Sequence, residues 1–380
     1  MNCLKGLQKL QDTSLIRSKM PPIFHLITTI EMGGAEKQLL ILAREQIKRG
    51  LTVVVIPLKG KTELFSDFKK AGVTVDLSLI NKPFLSQVFL LVKKFNVKTL
   101  ILHAHLPRAE LIASLTSIKN PFFVSRHNAE KFFPKANKTL SRYLSRFVIL
   151  RARRIIAISV AVLDFNLASG EARSARKFKV IHYGIESNSS PSGREKISIT
   201  TGTIPNQHFI IGTIARVDKQ KDFPTLLTAL QMISERFPDA RLSVVGDGPL
   251  LKEMKQLSRE LEIDHLVTWL GRISEIDDFL KSLDLFILTS VYEGFGLVLL
   301  EAMKNSVPVI ASRNSAIPEV MGEKYHLLAE TGSPADFYKK IENFRLNNMR
   351  EDVISYQDDR LKQFSVEKME NAINDVYQDS

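Results

Sequence analysis

The stretch IFHLITTIEMGGAEKQLLILAREQIKRGLTVVVIPL, residues 23 to 58, decides the fold. IFHLITTI is apolar and rich in β-branched residues, as a strand is, and it runs into Gly33 and Gly34. In GAEKQLLILAREQIKRG, residues Leu39, Leu40, Ala43 and Ile47 recur at helical spacing, and LTVVVIPL returns to a β-branched run. A strand, a glycine turn, an amphipathic helix and a second strand make a βαβ unit. Such alternation predicts a parallel sheet with helices on both faces.

The pattern continues outward. VTVDLSL, VKTLILHAH, PFFVSRHN, RRIIAISV and FKVIHYG read as further strands, with helical text between most of them. Residues 185–207 are rich in Ser, Gly, Pro and Thr with little apolar periodicity, and read as a linker with a loop insertion. The alternation then restarts with HFIIGTIARV, a helix from about Pro224 to Phe237, ARLSVVGDG, a helix through Glu262, HLVTWLG, a short helix near Ile276 to Ser282, and LDLFILTS. The chain divides into an extension 1–20, a first domain 21–190, a linker 191–206, a second domain 207–362 and a terminal segment 363–380. In that segment Val366, Met369, Ile373 and Val376 share one helix side. Ligands of doubly wound sheets collect at the carboxyl ends of the strands, so the cleft between the domains is the expected site.

A chain of 380 residues, 44% hydrophobic and 25% charged, has the composition of a soluble globular protein of two domains. Its one cysteine, Cys3, excludes a disulfide framework and multi-cysteine metal sites, and a reducing cytoplasm is the expected compartment. No apolar run approaches the roughly 18 residues of a membrane span. The opening MNCLKGLQKLQDTSLIRSKM lacks the apolar core and cleavage site of a signal peptide and is expected to be an appendage, with Met20 an alternative start.

The net charge of +12 is unevenly spread: residues 1–190 hold 31 Lys and Arg against 12 Asp and Glu, and residues 191–380 hold 22 against 29. A basic half attracts nucleic acid, an anionic membrane or a phosphorylated acceptor. A polyanion- or nucleic-acid-binding protein is therefore the alternative from a different class. No zinc-finger spacing, ribonucleoprotein motif or basic zipper accompanies the charge, so no nucleic-acid partner is expected.

Two segments of the second half carry chemistry. After the strand IIGTIA, Arg216 and Lys221 precede a helix near Pro224; a guanidinium fork, an ammonium and helix-start amides suit a diphosphate. The bland alternative is two surface cations on a loop. In YEGFGLVLLEAM, residues 292–303, Gly294 and Gly296 let backbone approach a ligand, and the helix they open presents the free amides of Leu297 and Val298. Glu293 precedes this helix, while Glu301 lies about 6 Å along its axis from Leu297. A hydrolytic pair would flank one glycosidic bond at about 5–9 Å. That would leave Arg216, Lys221 and the helix start without a role, so the two carboxylates fit different parts of one elongated ligand.

IARVDKQKDFPTLLTAL, PDARLSVVGDGPL, VTWLGR, YEGFGLVLLEAM, PVIAS and IPEV together resemble, in order and spacing, the second domain of retaining GT-B glycosyltransferases of family 4, also called group 1. The spacing of Glu293 and Glu301 is that family's signature. ITTIEMGGAEKQLL resembles its first strand, glycine loop and helix, and HAHLPRAELIASL, VSRHNAE, AISVAV and VIHYGIE resemble its strand ends, so the resemblance spans nearly the whole chain. It implies two Rossmann-like domains facing across a cleft, with the C-terminal helix crossing back to the first. It also implies a nucleotide-sugar donor and transfer with retention of anomeric configuration. Arg216 and Lys221 would pair with the diphosphate in place of a metal, so neither metal nor other cofactor is expected. Glu301 would hold ribose hydroxyls, Glu293 the sugar and the transition state, Gly271 the base through backbone, His127 the donor sugar, and Gly33 and Gly34 the phosphates or sugar. A nucleotide-sugar epimerase on the same plan is the alternative within enzymes. A phosphorylase would need a pyridoxal-phosphate lysine context, and neither half has the G-x-G-x-x-G of a nicotinamide oxidoreductase.

The acceptor side belongs to the first domain. His103 and His105 end a strand and can face it. In residues 138–154, KTLSRYLSRFVILRARR, Leu140, Leu144, Phe147 and Val148 stand against Arg142, Arg146, Arg151, Arg153 and Arg154, the layout of a basic helix that lies on anionic lipid. The alternative is an ordinary helix with a solvated basic face. The expected acceptor is a glycan or lipid-linked molecule of cell-surface polysaccharide or lipopolysaccharide synthesis, met at the cytoplasmic face of the inner membrane.

Overall fold

The structure is a computed structural model that describes residues 20–95, 100–117, 120–186 and 208–379; residues 1–19 of the extension and the linker 191–206 lie outside the described residues. The first sheet comprises β1 (Ile23–Ile27), β2 (Val53–Pro57), β3 (Thr74–Val75), β4 (Ile101–His105), β5 (Phe122–Arg126), β6 (Arg154–Ala157) and β7 (Phe178–Val180), in the order β3-β2-β1-β4-β5-β6-β7. The second comprises β8 (Phe209–Ile214), β9 (Ala240–Val245), β10 (Val267–Gly271), β11 (Leu285–Leu288), β12 (Val309–Ser312) and β13 (Leu328–Ala329), in the order β10-β9-β8-β11-β12-β13. The paired strands run parallel throughout. This is the two-domain Rossmann-like GT-B architecture.

The central strands IFHLI, VVVIP, ILHAH and FFVSR are buried at every residue, because helices cover both faces of a parallel sheet. Strand order reverses beside β1 and β4 in the first sheet and beside β8 and β11 in the second. The loops leaving these pairs diverge and open a crevice at each switch point. Gly33 and Gly34 follow β1, Arg216 and Lys221 follow β8, and Glu293 follows β11, so the topology brings the chemistry-bearing loops to the crevices.

Two strands are shorter than their sequences suggest. VTVDLSL pairs only over Thr74–Val75, because the Asp76 carboxylate accepts the Ser78 amide at 2.9 Å, binds Lys94 and turns the chain into a 3-10 segment at Leu77–Leu79. FKVIHYG pairs only over Phe178–Val180.

Helices Phe84–Phe95, Pro107–Thr116 and Lys138–Arg151 lie side by side on one face of the first sheet, over a core that includes Phe24, Leu26, Val54, Leu102 and Val124. The C-terminal helix Val366–Gln378 returns to this domain and packs on helix Gly34–Lys48. Arg49 pairs with Glu370, the Ile185 amide bonds the Phe364 carbonyl at 2.7 Å, and a side chain at Gly184 would strike the Val366 backbone. Among the described residues no helix is long and apolar enough to cross a membrane.

Candidate active site

On the second domain, the loop after β8 and the loop after β11 are stitched together. Lys221 Nζ donates to Glu293 Oε1 at 2.6 Å, and the Ser290 hydroxyl donates to the same oxygen at 2.7 Å. The Thr289 hydroxyl bonds the Lys221 carbonyl at 2.8 Å, and the Val291 amide bonds the Gln220 carbonyl at 2.8 Å. Glu293 is thereby buried with a counter-charge, as a carboxylate removed from water requires. Arg216 stands apart: its side chain is 71% exposed and reaches only the Asp218 carboxylate, at 3.6 Å. Gly296, at φ +87°, sits in the left-handed region that glycine tolerates, and ends the loop where helix Leu297–Lys304 begins. That geometry leaves the amides of Leu297 and Val298 without carbonyls four residues back. One turn on, burial pushes the Glu301 carboxyl above its ordinary range, while Lys37 of the first domain and Lys304 act against the shift. Gly271 has φ +65°; its carbonyl accepts the Gly246 amide at 2.7 Å, and open space lies where a Cβ would stand.

Across the cleft, the glycine loop carries a carboxylate as well as bare backbone. The Thr29 hydroxyl donates to Glu36 at 2.6 Å, burial raises the Glu36 pKa, and a side chain at Gly33 would collide with that carboxylate. A Cβ on Gly34 would sit 3.3 Å from Leu297, so this loop and the start of helix Leu297–Lys304 are neighbours. Gly294 does a similar service in the other direction: a Cβ there would stand 2.7 Å from the His127 carbonyl oxygen. The close approach it permits is one domain against the other.

His127 belongs to a buried chain of hydrogen bonds. His25 Nε2 bonds Gln46 Oε1 at 2.9 Å, His25 Nδ1 meets His105 Nε2 at 3.0 Å, His105 Nδ1 meets His127 Nε2 at 3.1 Å, and His127 Nδ1 meets the Tyr183 hydroxyl. With the Gln46 oxygen as the acceptor at one end, a consistent chain makes each imidazole a neutral Nε2–H tautomer and Tyr183 a donor. Burial agrees: it lowers the His25 pKa to about 4 and the His127 pKa to about 3, and holds His103 and His105 well below the ordinary value. Both His127 nitrogens are engaged, so a sugar hydroxyl reaches the ring by replacing one of these partners. His103 and His105 do not open onto the acceptor side: they are buried where β1 and β4 pair, and His103 bonds Tyr377 at 2.6 Å and Ser125 at 2.8 Å. Ligating nitrogens of His25, His103 and His105 lie within 4.8 Å of one another. A metal there would have to take nitrogens from these hydrogen bonds.

Arg142 and Arg146 lie away from the cleft. Arg146 Nε donates to the Gly170 carbonyl at 2.8 Å, and the Arg142 guanidinium lies over the same glycine. Arg151 bonds the Ser114 and Ser117 carbonyls. Arg146 and Arg151 are thus spent on loop and helix-end carbonyls, whereas among the described residues no hydrogen bond engages Arg142 Nε.

Sequence reasoning missed several contributors. Ser159 donates to the Gly294 carbonyl at 2.6 Å, and Glu319 of the second domain accepts the Val160 and Ala161 amides at 2.7 and 2.8 Å, at the start of helix Val160–Ala168. Burial acts to raise its carboxyl, but the His182 hydrogen bond at 3.3 Å and then these two amides hold it below the ordinary range. The IPEV motif held the clue, since a glutamate near the cleft suits a helix start. His25 was signalled by a lone histidine in an apolar strand. Between the domains a cavity of about 890 Å³ is lined by Glu130, Lys131, Val160, Asp164, Tyr292 and Glu319, among others.

Residues 196–360 match the family model of the glycosyl transferases group 1, and residues 32–188 match that of glycosyltransferase family 4. The sulfoquinovosyl transferase SQD2 of Arabidopsis thaliana is 28% identical over 46% of this chain and only 33% of its own length. An uncharacterized glycosyltransferase of Methanocaldococcus jannaschii is 27% identical over 68% of both chains. Among solved structures, Anabaena HepE in complex with UDP and glucose superposes with a TM-score of 0.80 over 95% of this chain and all of its own, at 22% identity, a likeness of fold. With one model on each domain, the chain belongs to the group 1 glycosyltransferases, its first half of the family 4 type.

Proposed function

We propose that the protein transfers a sugar from a nucleoside-diphosphate sugar to a glycan or lipid-linked acceptor with retention of anomeric configuration. The observation that carries this reading is the Lys221–Glu293–Ser290 cluster beside the start of helix Leu297–Lys304, facing the Gly33–Gly34 loop across the cleft. The family match supports transfer over the polyanion-binding and epimerase alternatives. The UDP and glucose in the Anabaena structure support the donor class.

In this reading the diphosphate lies against the amides of Leu297 and Val298, with Arg216, free to swing in from solvent, and Lys221 as its counter-charges. These groups take the role a divalent metal plays elsewhere, so no metal enters the reaction. Glu301 accepts from ribose hydroxyls, Glu293 from sugar hydroxyls, the backbone at Gly271 borders the base, and His127 reaches the sugar by exchanging Tyr183 for a sugar hydroxyl. The bond from anomeric carbon to phosphate oxygen breaks, the acceptor oxygen bonds on the same face, and the departing phosphate takes the acceptor's proton. The acceptor occupies the cavity between Lys131 and Glu319, in keeping with cell-surface polysaccharide or lipopolysaccharide assembly in the cytoplasm.

Thermal-shift titration with UDP, GDP and ADP sugars tests the donor. One of them is expected to raise the melting temperature of the intact chain, and Glu293→Ala and Arg216→Ala should each lose most of that rise. Silence towards all three, or an inverted product anomer by NMR, would overturn the donor or the stereochemistry respectively.

A further inference from the structure

The large exposed apolar side chains cluster. Leu85 (78% exposed) and Phe89 (58%) project from helix Phe84–Phe95, Leu115 from helix Pro107–Thr116, and Tyr143, Phe147 and Leu150 (73%) from helix Lys138–Arg151. These are the three helices that pack side by side on the first sheet, so the residues form one ridge on its outer layer.

The ridge is not leftover core. Helix Phe84–Phe95 already buries Gln87, Leu91 and Phe95 inward and is apolar outward as well, a pattern that belongs to a helix covered on both sides. Helix Lys138–Arg151 is apolar on both sides: Val148 is buried in the core with Leu144 and Ile149 packed against it, while other large apolar residues face out. It turns Ser141 and Ser145 inward, where they bond the Phe133 amide at 3.0 Å and Arg126 at 3.1 Å, and leaves Leu140, Tyr143, Phe147 and Leu150 exposed. Contiguous apolar surface of this kind marks an interaction face.

Charge selects the partner. From Lys82 to Arg154 the sequence holds fifteen Lys and Arg against Glu110 and Glu130, and Glu110 is buried against Arg126. Lys82, Lys93 and Lys138 are exposed beside the ridge, and Lys93 Nζ lies 4.3 Å from the centre of the Phe89 ring, its stem along the apolar surface and its charge at the edge. A second copy of the chain would set this basic rim against itself. An anionic lipid surface complements both the ridge and the rim.

We propose that the three-helix face docks on anionic phospholipid, with the leucine and aromatic ridge entering the headgroup boundary and the rim cations meeting lipid phosphates. The anchors are the outward apolar residues, whereas Arg146 holds the Gly170 loop. The loop Ala129–Pro134, which lines the cleft cavity, leads into helix Lys138–Arg151, so the docked face lies next to the cavity mouth. The docking stands whether or not the chain transfers a sugar.

Flotation of the full chain with vesicles of phosphatidylglycerol and phosphatidylcholine, against phosphatidylcholine alone, tests it. Binding to the anionic vesicles is expected, weakened by salt, and lowered about tenfold or more in the double variant Phe89→Ser, Leu150→Ser. These side chains are exposed, so the variant should melt as the parent does. In Tyr143→Trp, emission should shift to the blue on adding anionic vesicles. No flotation at low salt, or binding indifferent to the double variant, would overturn the proposal. A dimer seen by sedimentation and abolished by that variant, with no vesicle binding, would assign the face to a second copy.

Discussion

Lys221 and Glu293 depend on each other, since each lies largely out of water and their pairing at 2.6 Å compensates for the hydration they lose. Lys221→Met leaves the carboxylate beside Ser290 without its cation. The expected loss is about 3 kcal/mol in urea unfolding, together with a weaker thermal response to donor. Gly294 is constrained by the opposite domain. Gly294→Ala places a methyl 2.7 Å from the His127 carbonyl oxygen, so the domains must separate to admit it. The variant should retain its secondary structure by circular dichroism yet show a smaller donor-induced thermal shift; an unchanged shift would refute the contact. Both glycines of YEGFGLVLLEAM were legible as special positions. Which of them serves a turn and which serves a domain contact follows only from φ and from what stands opposite.

At the scale of elements, the pairing of β1 with β4 places His25 opposite His103 and Ile27 opposite His105. The sequence shows HAH plainly, but His25 joins it only because these strands are neighbours in register. The resulting chain has a pH signature. The histidines titrate near 6.5 when unfolded, and burial lowers them in the fold, to about 4 for His25 and about 3 for His127. Between those limits the unfolded chain binds more protons. Their contribution is therefore fully present above about pH 6.5 and is lost as pH falls towards 4 and then 3. Glu110, raised by burial to about 7, opposes this as pH rises towards 7, and Glu36, Glu301 and Glu370, which burial also raises, act in the same sense, but all four histidines are shifted across this window. The urea midpoint should therefore fall from pH 6.5 to 4.5, and His25→Asn should flatten the slope; a parent curve already flat would contradict the buried neutral chain. The helix layer has its own buried charge. Arg126 lies 2.8 Å from Glu110 and 3.3 Å from Glu171, and Arg126→Met should destabilise the chain by about 3–5 kcal/mol by stranding two carboxylates.

At the scale of the molecule, the two domains are clasped by Glu319 at the start of helix Val160–Ala168, by Ser159 on the Gly294 carbonyl, and by the C-terminal helix held through Glu370 and Tyr377. Glu319→Ala removes two charge-assisted hydrogen bonds, each worth about 1.5–3 kcal/mol. The expected result is a larger radius of gyration by small-angle scattering with unchanged circular dichroism, and an unchanged radius would show that the clasp does not hold the domains. By itself the sequence determined the two parallel sheets and the loops that carry glycines, cations and glutamates. Hydrophobic period and turn chemistry are local properties, legible in windows of a dozen residues. Only the tertiary structure decided that Lys221 meets a glutamate 72 positions away, that His25 completes a chain ending at Tyr183, and that helix Lys138–Arg151 turns Ser141 and Ser145 inward and Leu140 and Leu150 out. Those outcomes depend on strand order, register and the docking of two domains. They are long-range relations, and a local pattern is compatible with many of them.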